Sequence, residues 1–220
     1  TGADDATADA PDALRNATVE QCECAACARA NASRLPTSHG QYAPSTFGQL
    51  VHSDVMGPFK PSHYGGLRYA FTFIDDHSRY TSVYFMRTKD EAPLMLKRFT
   101  ADCSAFLLRS GRTSACTIRT DNGGEYLSDE WADVCESDGT RHQTSNPYNP
   151  RQNGISEITN RSLCRIARAA LSESGLSLSL WPEALQHAAT VLNRTPHSTL
   201  GPATTPYRAT KMSSSASCPR

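Results

Sequence analysis

Two β-rich runs, YAFTFID at 69–75 and YTSVYFM at 80–86, are separated by only four residues, Asp76, His77, Ser78 and Arg79. So short and polar a joint makes the pair a hairpin. The hairpin is not alone. LVHSDVM (50–56) alternates apolar and polar residues as a strand does, and ACTIRT (115–120) reads as a further short strand that ends at Asp121. Between them, residues 90–110 set Leu96, Phe99, Cys103, Phe106 and Leu107 on one helical face, with Pro93 in the first turn and Gly111 as the stop. Ser128 has the position of an N-cap for a helix carrying Trp131, Val134 and Cys135, closed by Gly139. The stretch SNPYNPRQNG (145–154) reads as a loop. A long helix is predicted over 156–174, with Ile158, Leu163, Ile166, Ala170 and Leu171 inward, and a last one from near Pro182 to Asn193. Strands, a helix, another strand and then helices define an α/β protein, a mixed sheet with helices on its faces.

The 220 residues suffice for one sizeable α/β domain with extensions. No apolar run approaches the roughly 18 residues that span a bilayer, so no membrane partner is expected. The amino terminus lacks the basic start and apolar block of a secretory signal. Twenty-two basic and 22 acidic residues cancel, which argues against a general polyanion binder. The first 27 residues hold six of the acids and one arginine, however, so the rest of the chain is positive by five and local basic patches can form. Residues 1–21 read as a disordered lead-in, 22–46 as a small cysteine-bearing module and linker, 47–211 as the main domain and 212–220 as a tail. Five of the eight cysteines are scattered singly, which fits a reducing compartment.

Three carboxylates call for a reason. Asp54 sits mid-strand among apolar neighbours, where an acid is costly unless it is paired or metal-bound; an exposed position on an edge strand is the plainer alternative. Asp121 ends a second strand, inside RTDNGGEY. Glu157 opens the long helix, and Asn160, Arg161, Cys164, Arg165 and Arg168 follow it at three- and four-residue steps. That row is either a metal ligand beside phosphate-binding groups or a solvated face with an ordinary Glu157–Arg161 pair.

Taken in order, LVHSDVMGPF, GGLRYAFTFIDDHSRYTSVYFM, RTDNGGEYLSDEW, SNPYNPRQNGISEITNRSL, LWPEALQHAATVLNRTP and TTPYRA resemble the integrase of copia-type long-terminal-repeat retrotransposons, a part of a Pol polyprotein. The 35 residues between Asp121 and Glu157 match the D,D-35-E interval of those enzymes. The resemblance implies a ribonuclease H-like fold with a mixed five-stranded sheet flanked by helices. It implies that Asp54, Asp121 and Glu157 are the catalytic, metal-binding acids for two Mg2+ or Mn2+ ions. The implied reactions are 3′-end processing and strand transfer on DNA. Gln152, Asn153, Arg161, Arg165 and Arg168 are the implied DNA contacts. It also implies a homo-oligomer acting inside the cell, in the nucleus or a virus-like particle.

Other acids are expected to be structural: Glu125 as a supporting group, and Asp75 and Asp76 as turn residues. His52 and His142 are poor ligands for hard magnesium. Cys24 and Cys27 have zinc-type spacing, but no histidine precedes His39, so a four-ligand Zn2+ site is expected to be incomplete. Ile158 follows Glu157 where relatives more often carry a basic residue. Two other functions stay open: an inactive or domesticated copy that binds DNA or protein, and a related nuclease such as a ribonuclease H.

Overall fold

The computed structural model describes residues 44–108, 116–145, 154–201 and 203–212, and for 105–108 and 212 the backbone alone. All of them fall in one unit, Ala43–Arg220. The lead-in, Cys22, Cys24 and Cys27, Gly111, the loop residues Gln152 and Asn153, and the tail beyond 212 lie outside the described residues.

Three strands open the domain: β1 (Leu50–Met56), β2 (Tyr69–Asp75) and β3 (Thr81–Met86). β1 pairs antiparallel with β2, and β2 with β3, so the 69–86 segment is the expected hairpin. Its corner is built on Asp75, which is buried and accepts the Gly48 N–H at 2.7 Å, the Ser78 N–H at 2.7 Å and the Ser78 hydroxyl at 2.6 Å. Asp76 accepts from His52 Nε2 at 2.9 Å, which fixes that histidine at the corner. Both aspartates thus have turn roles, as expected.

Helix α1 (Ala92–Leu108) follows, with Pro93 in its first turn, and then β4 (Thr117–Thr120). Ser128 caps α2 (Asp129–Ser137), accepting the Trp131 N–H at 3.2 Å. Gly139 leaves that helix at φ +62°, where a side chain would be strained. Next comes β5 (Arg141–Thr144), whose sequence RHQT has no apolar alternation and was not assigned as a strand from the sequence. β4 lies parallel to β1, and β5 parallel to β4, giving the order β3-β2-β1-β4-β5. The sheet is therefore mixed and five-stranded. Helices α3 (Gly154–Ser174) and α4 (Trp181–Arg194) follow, with a short α5 (Pro206–Met212) beyond the last helix expected from the sequence.

Side chains alternate across a strand, and the two sheet faces carry separate cores. Val51, Phe71, Phe73 and Ile118 pack with Met95, Leu96 and Phe99 of α1 and with Trp131 and Val134 of α2. Ala70 and Val83 pack on the other side with Leu163, Ala167 and Leu171 of α3 and Trp181, Leu185 and Ala188 of α4. Asp54 has the parity of the second face and looks toward α3.

Helix α3 is rotated relative to the sequence expectation. Ile158, placed inward by periodicity, is 64% exposed, and Asn160, placed on the polar face, is buried. Cys164 also turns partly inward, with its Sγ 3.8 Å from Met56 Sδ. The buried line is Ser156, Asn160, Leu163, Ala167 and Leu171. On this inward side Asn160 donates to Asp54 of β1 at 2.8 Å. No described helix is long and apolar enough to cross a membrane.

Candidate active site

The β1–β4 register pairs Leu50 with Thr117 and His52 with Arg119. Carried two residues on, it sets Asp54 beside Asp121, which follows the last residue of β4. Chain order keeps these acids far apart; parallel pairing brings them to one place.

Asp54 is partly buried, and both its carboxylate oxygens are held. Oδ1 accepts the Val55 N–H at 2.9 Å and Oδ2 accepts the Asn160 side-chain amide at 2.8 Å. Burial first, then the negative charge of Asp121, pushes the Asp54 carboxyl up to about 6 despite these donors, and Glu157 adds to the rise. Two carboxylates that repel each other in a partly dry place, with no lysine or arginine paired to either among the described residues, leave negative charge uncompensated.

Asp121 sits in a compact turn. Its Oδ1 accepts the Gly123 N–H at 3.0 Å, and the neighbouring Asn122 amide donates to the Ser145 carbonyl at 3.2 Å, tying the turn to the end of β5. A Cβ at Gly123 would lie 2.9 Å from the Glu125 carboxylate and 3.0 Å from Asp121 Oδ1, so a larger residue there would push these side chains aside. Glu125 itself is 8% exposed at its side chain and takes a salt bridge from Lys89 at 2.8 Å. The pair braces Glu125 beside Asp121.

Glu157 stands exposed in the first turn of α3. Its charge reaches Asp54, yet among the described residues no three His, Cys, Asp or Glu side chains come close enough together to hold one ion. The Asp54–Asp121 pair is assembled, with Glu157 on its border. Arg161, Arg165 and Arg168 are all exposed on α3, and among the described residues Glu157 and Arg161 form no ion pair. His142 is engaged with the Thr120 hydroxyl at 2.9 Å, and burial lowers its pKa. His52 is engaged instead with Asp76, at 2.9 Å.

As a donor set, two crowded carboxylates with only oxygen atoms facing each other suit a hard divalent cation, which would relieve the repulsion that raises Asp54. Two neighbours that sequence reasoning missed shape this set. Asn160 donates to Asp54, and the Thr72 hydroxyl contacts Asn160 Oδ1 at 3.0 Å and the Asp54 carbonyl at 3.1 Å. Thr72 lies directly across β2 from Asp54, and Asn160 falls one helical turn after Glu157, so strand register and helix spacing were the available signals.

A five-stranded mixed sheet flanked by helices, with one acid within β1 and another just past the end of the adjacent β4, is the ribonuclease H-like fold of integrase catalytic cores. Residues 45–150 match the integrase core domain, and the chain belongs to that family. The matched span contains Asp54 and Asp121, and Glu157 lies beyond it. Over 147 residues, 67% of this chain, it is 40% identical to the retrovirus-related Pol polyprotein from transposon TNT 1-94 of Nicotiana tabacum. It is 28% identical over 79% of its length to the corresponding polyprotein of transposon RE1 of Arabidopsis thaliana. In each case it spans 11% of the relative's length. In three dimensions it is similar to a chain of a simian T-cell lymphotropic virus intasome, with TM-score 0.59 and 25% identity, covering 85% of this chain and 63% of that one. It also resembles the magnesium-bound HTLV-2 integrase catalytic core, with TM-score 0.53 and 21% identity, covering 76% of this chain and 99% of that one.

Proposed function

We propose that this domain cuts and joins DNA phosphodiester bonds, processing the 3′ ends of a retrotransposon and transferring them to target DNA. Asp54, Asp121 and Glu157 would be its metal-holding acids. The observation that carries the reading is the pairing of Asp54 with Asp121 across β1 and β4, unneutralised and raised to about 6 at Asp54. Two Mg2+ or Mn2+ ions, when bound, would supply Lewis acidity and an activated oxygen nucleophile to a phosphate that otherwise repels attack.

The chain's own groups do the positioning. Asp54 and Asp121 hold charge at a fixed point, and Glu157, at the start of α3, would join them when a cation draws it in. Arg161, Arg165 and Arg168 offer an exposed basic row on the same helix, suited to sequence-independent contact with backbone phosphates. Gln152 and Asn153 precede that helix and are proposed as further DNA contacts. The reaction needs no covalent protein intermediate. Because integration joins two ends, a homo-oligomer is proposed; the HTLV-2 catalytic core is known in dimeric and trimeric forms. The proposed setting is the nucleus or a virus-like particle.

A second reading, an inactive copy that still docks DNA, is favoured by one fact: Glu157 does not close with the two aspartates into a three-ligand cluster among the described residues. Joining of a labelled DNA end to target DNA in Mg2+ separates the two. Wild type is expected to join and Glu157→Gln to be inactive while folded; equal inactivity of both would overturn the catalytic reading in favour of the binding one.

A further inference from the structure

Asp54 is the best-anchored of the three acids, and its anchor comes from the helix that carries Glu157. Asn160 is 7% exposed and Thr72 is fully buried, so neither meets substrate directly. Yet they form a continuous polar line from β2 through α3 to Asp54, with separations of 3.0 Å and 2.8 Å.

The chemistry of that line is directional. The ionised Asp54 carboxylate only accepts, so Asn160 turns Nδ2 toward it, and its Oδ1 accepts from the Thr72 hydroxyl, which also lies 3.1 Å from the Asp54 carbonyl. Reversing the amide would set its oxygen 2.8 Å from a carboxylate oxygen, two acceptors with no proton between them. With Val55 N–H on Oδ1 and Asn160 on Oδ2, the carboxylate is fixed in rotation, and each oxygen keeps lone pairs for another partner. A neutral donor is the right choice chemically. A lysine here would cancel the charge that draws in a cation, whereas an amide orients the carboxylate and leaves its charge intact.

We propose that Asn160, held by Thr72, is a positioning residue that orients Asp54 for divalent cation and, through the same bond, sets the rotation of α3 that places Glu157. The proposal rests on the metal-dependent reading above. Asn160 follows Glu157 by three residues, so the two lie on neighbouring faces of one turn, and locking one fixes the azimuth of the other. This bond also explains why α3 buries an asparagine and exposes Ile158, against the apolar periodicity.

The test is a thermal-unfolding titration with Mn2+ alone, run beside DNA-end joining at the same Mn2+ concentrations. Asn160→Ala is expected to raise the Mn2+ midpoint of the Tm shift about 10- to 100-fold, the range typical of groups that orient metal ligands. Thr72→Val should raise it several-fold. Thr72→Ser, which keeps the hydroxyl, should restore the wild-type midpoint; a purely structural role would follow the metal-free Tm instead. Wild-type midpoints in Asn160→Ala, or equal behaviour of Thr72→Val and Thr72→Ser, would overturn the proposal. A wild-type Tm indifferent to Mn2+ would overturn it together with the metal-dependent reading. Mn2+ midpoints that follow Asn160 and Thr72 in a protein that joins no DNA would support the positioning role and refute only the strand-transfer reading.

Discussion

Asp75 and Asp54 are both aspartates taken out of water on strands of one sheet, and burial pushes both carboxyls up. At the hairpin corner, Asp75 receives three donors, all from the corner itself or the segment leading into β1. It is used up in holding a turn. At the β1–β4 end, Asp54 receives two donors and faces a second carboxylate instead of a third donor. The contrast separates an acid that stabilises a fold from one held ready for a ligand: burial is common to both, and what differs is whether the remaining coordination is filled by protein.

The largest expected effect breaks that contrast from the ligand side. Asp54→Asn should reduce DNA-end joining by about a thousandfold or more, the scale of several kcal/mol of lost charge stabilisation, while circular dichroism and Tm show an intact fold. Asp75→Ala should do the reverse. Leaving buried donors without an acceptor is expected to cost about 3 kcal/mol or more of stability, measured by urea unfolding, with joining per folded molecule preserved. Equal loss of joining in both variants would erase the distinction.

A pH experiment sharpens it. The folded Asp54 carboxyl stands at about 6, above the ordinary aspartate value of 3.8, so in metal-free protein its contribution to stability is fully present below 3.8 and is lost as pH rises through about 6. Divalent cation binds the ionised form and should reverse that loss. The Tm gain from Mg2+ is therefore expected to be larger at pH 7.5 than at pH 5, and to shrink at both in Asp54→Asn.

The smallest effects lie in supporting contacts. Ser128→Ala removes the α2 cap and should cost about 1 kcal/mol in urea unfolding. Lys89→Ala opens a half-exposed pair with Glu125 and should change stability by less than about 1 kcal/mol.

What the sequence made legible follows the same physics. β1 and β2 were readable to the residue because each is a short run rich in apolar and β-branched or aromatic residues bounded by turn signals, and the Asp76–Arg79 joint because four polar residues leave little but a turn. The spacing of Asp54, Asp121 and Glu157 pointed to the site because the family's blocks surround them. β5 was not readable: RHQT pairs on one side only, and its side chains carry no apolar stripe. The phase of α3 was misread because apolar periodicity gives no weight to a buried asparagine, whose burial makes sense only once Asp54, 106 residues earlier, is opposite it.

Anomalous diffraction from crystals soaked in Mn2+ bears most directly on the claim that the β1–β4 acids form a cation site. Peaks are expected within coordinating distance, about 2.1 Å, of oxygens from both Asp54 and Asp121, with Glu157 drawn in to join them. Peaks elsewhere, or none at Mn2+ concentrations that saturate the Tm shift, would contradict it.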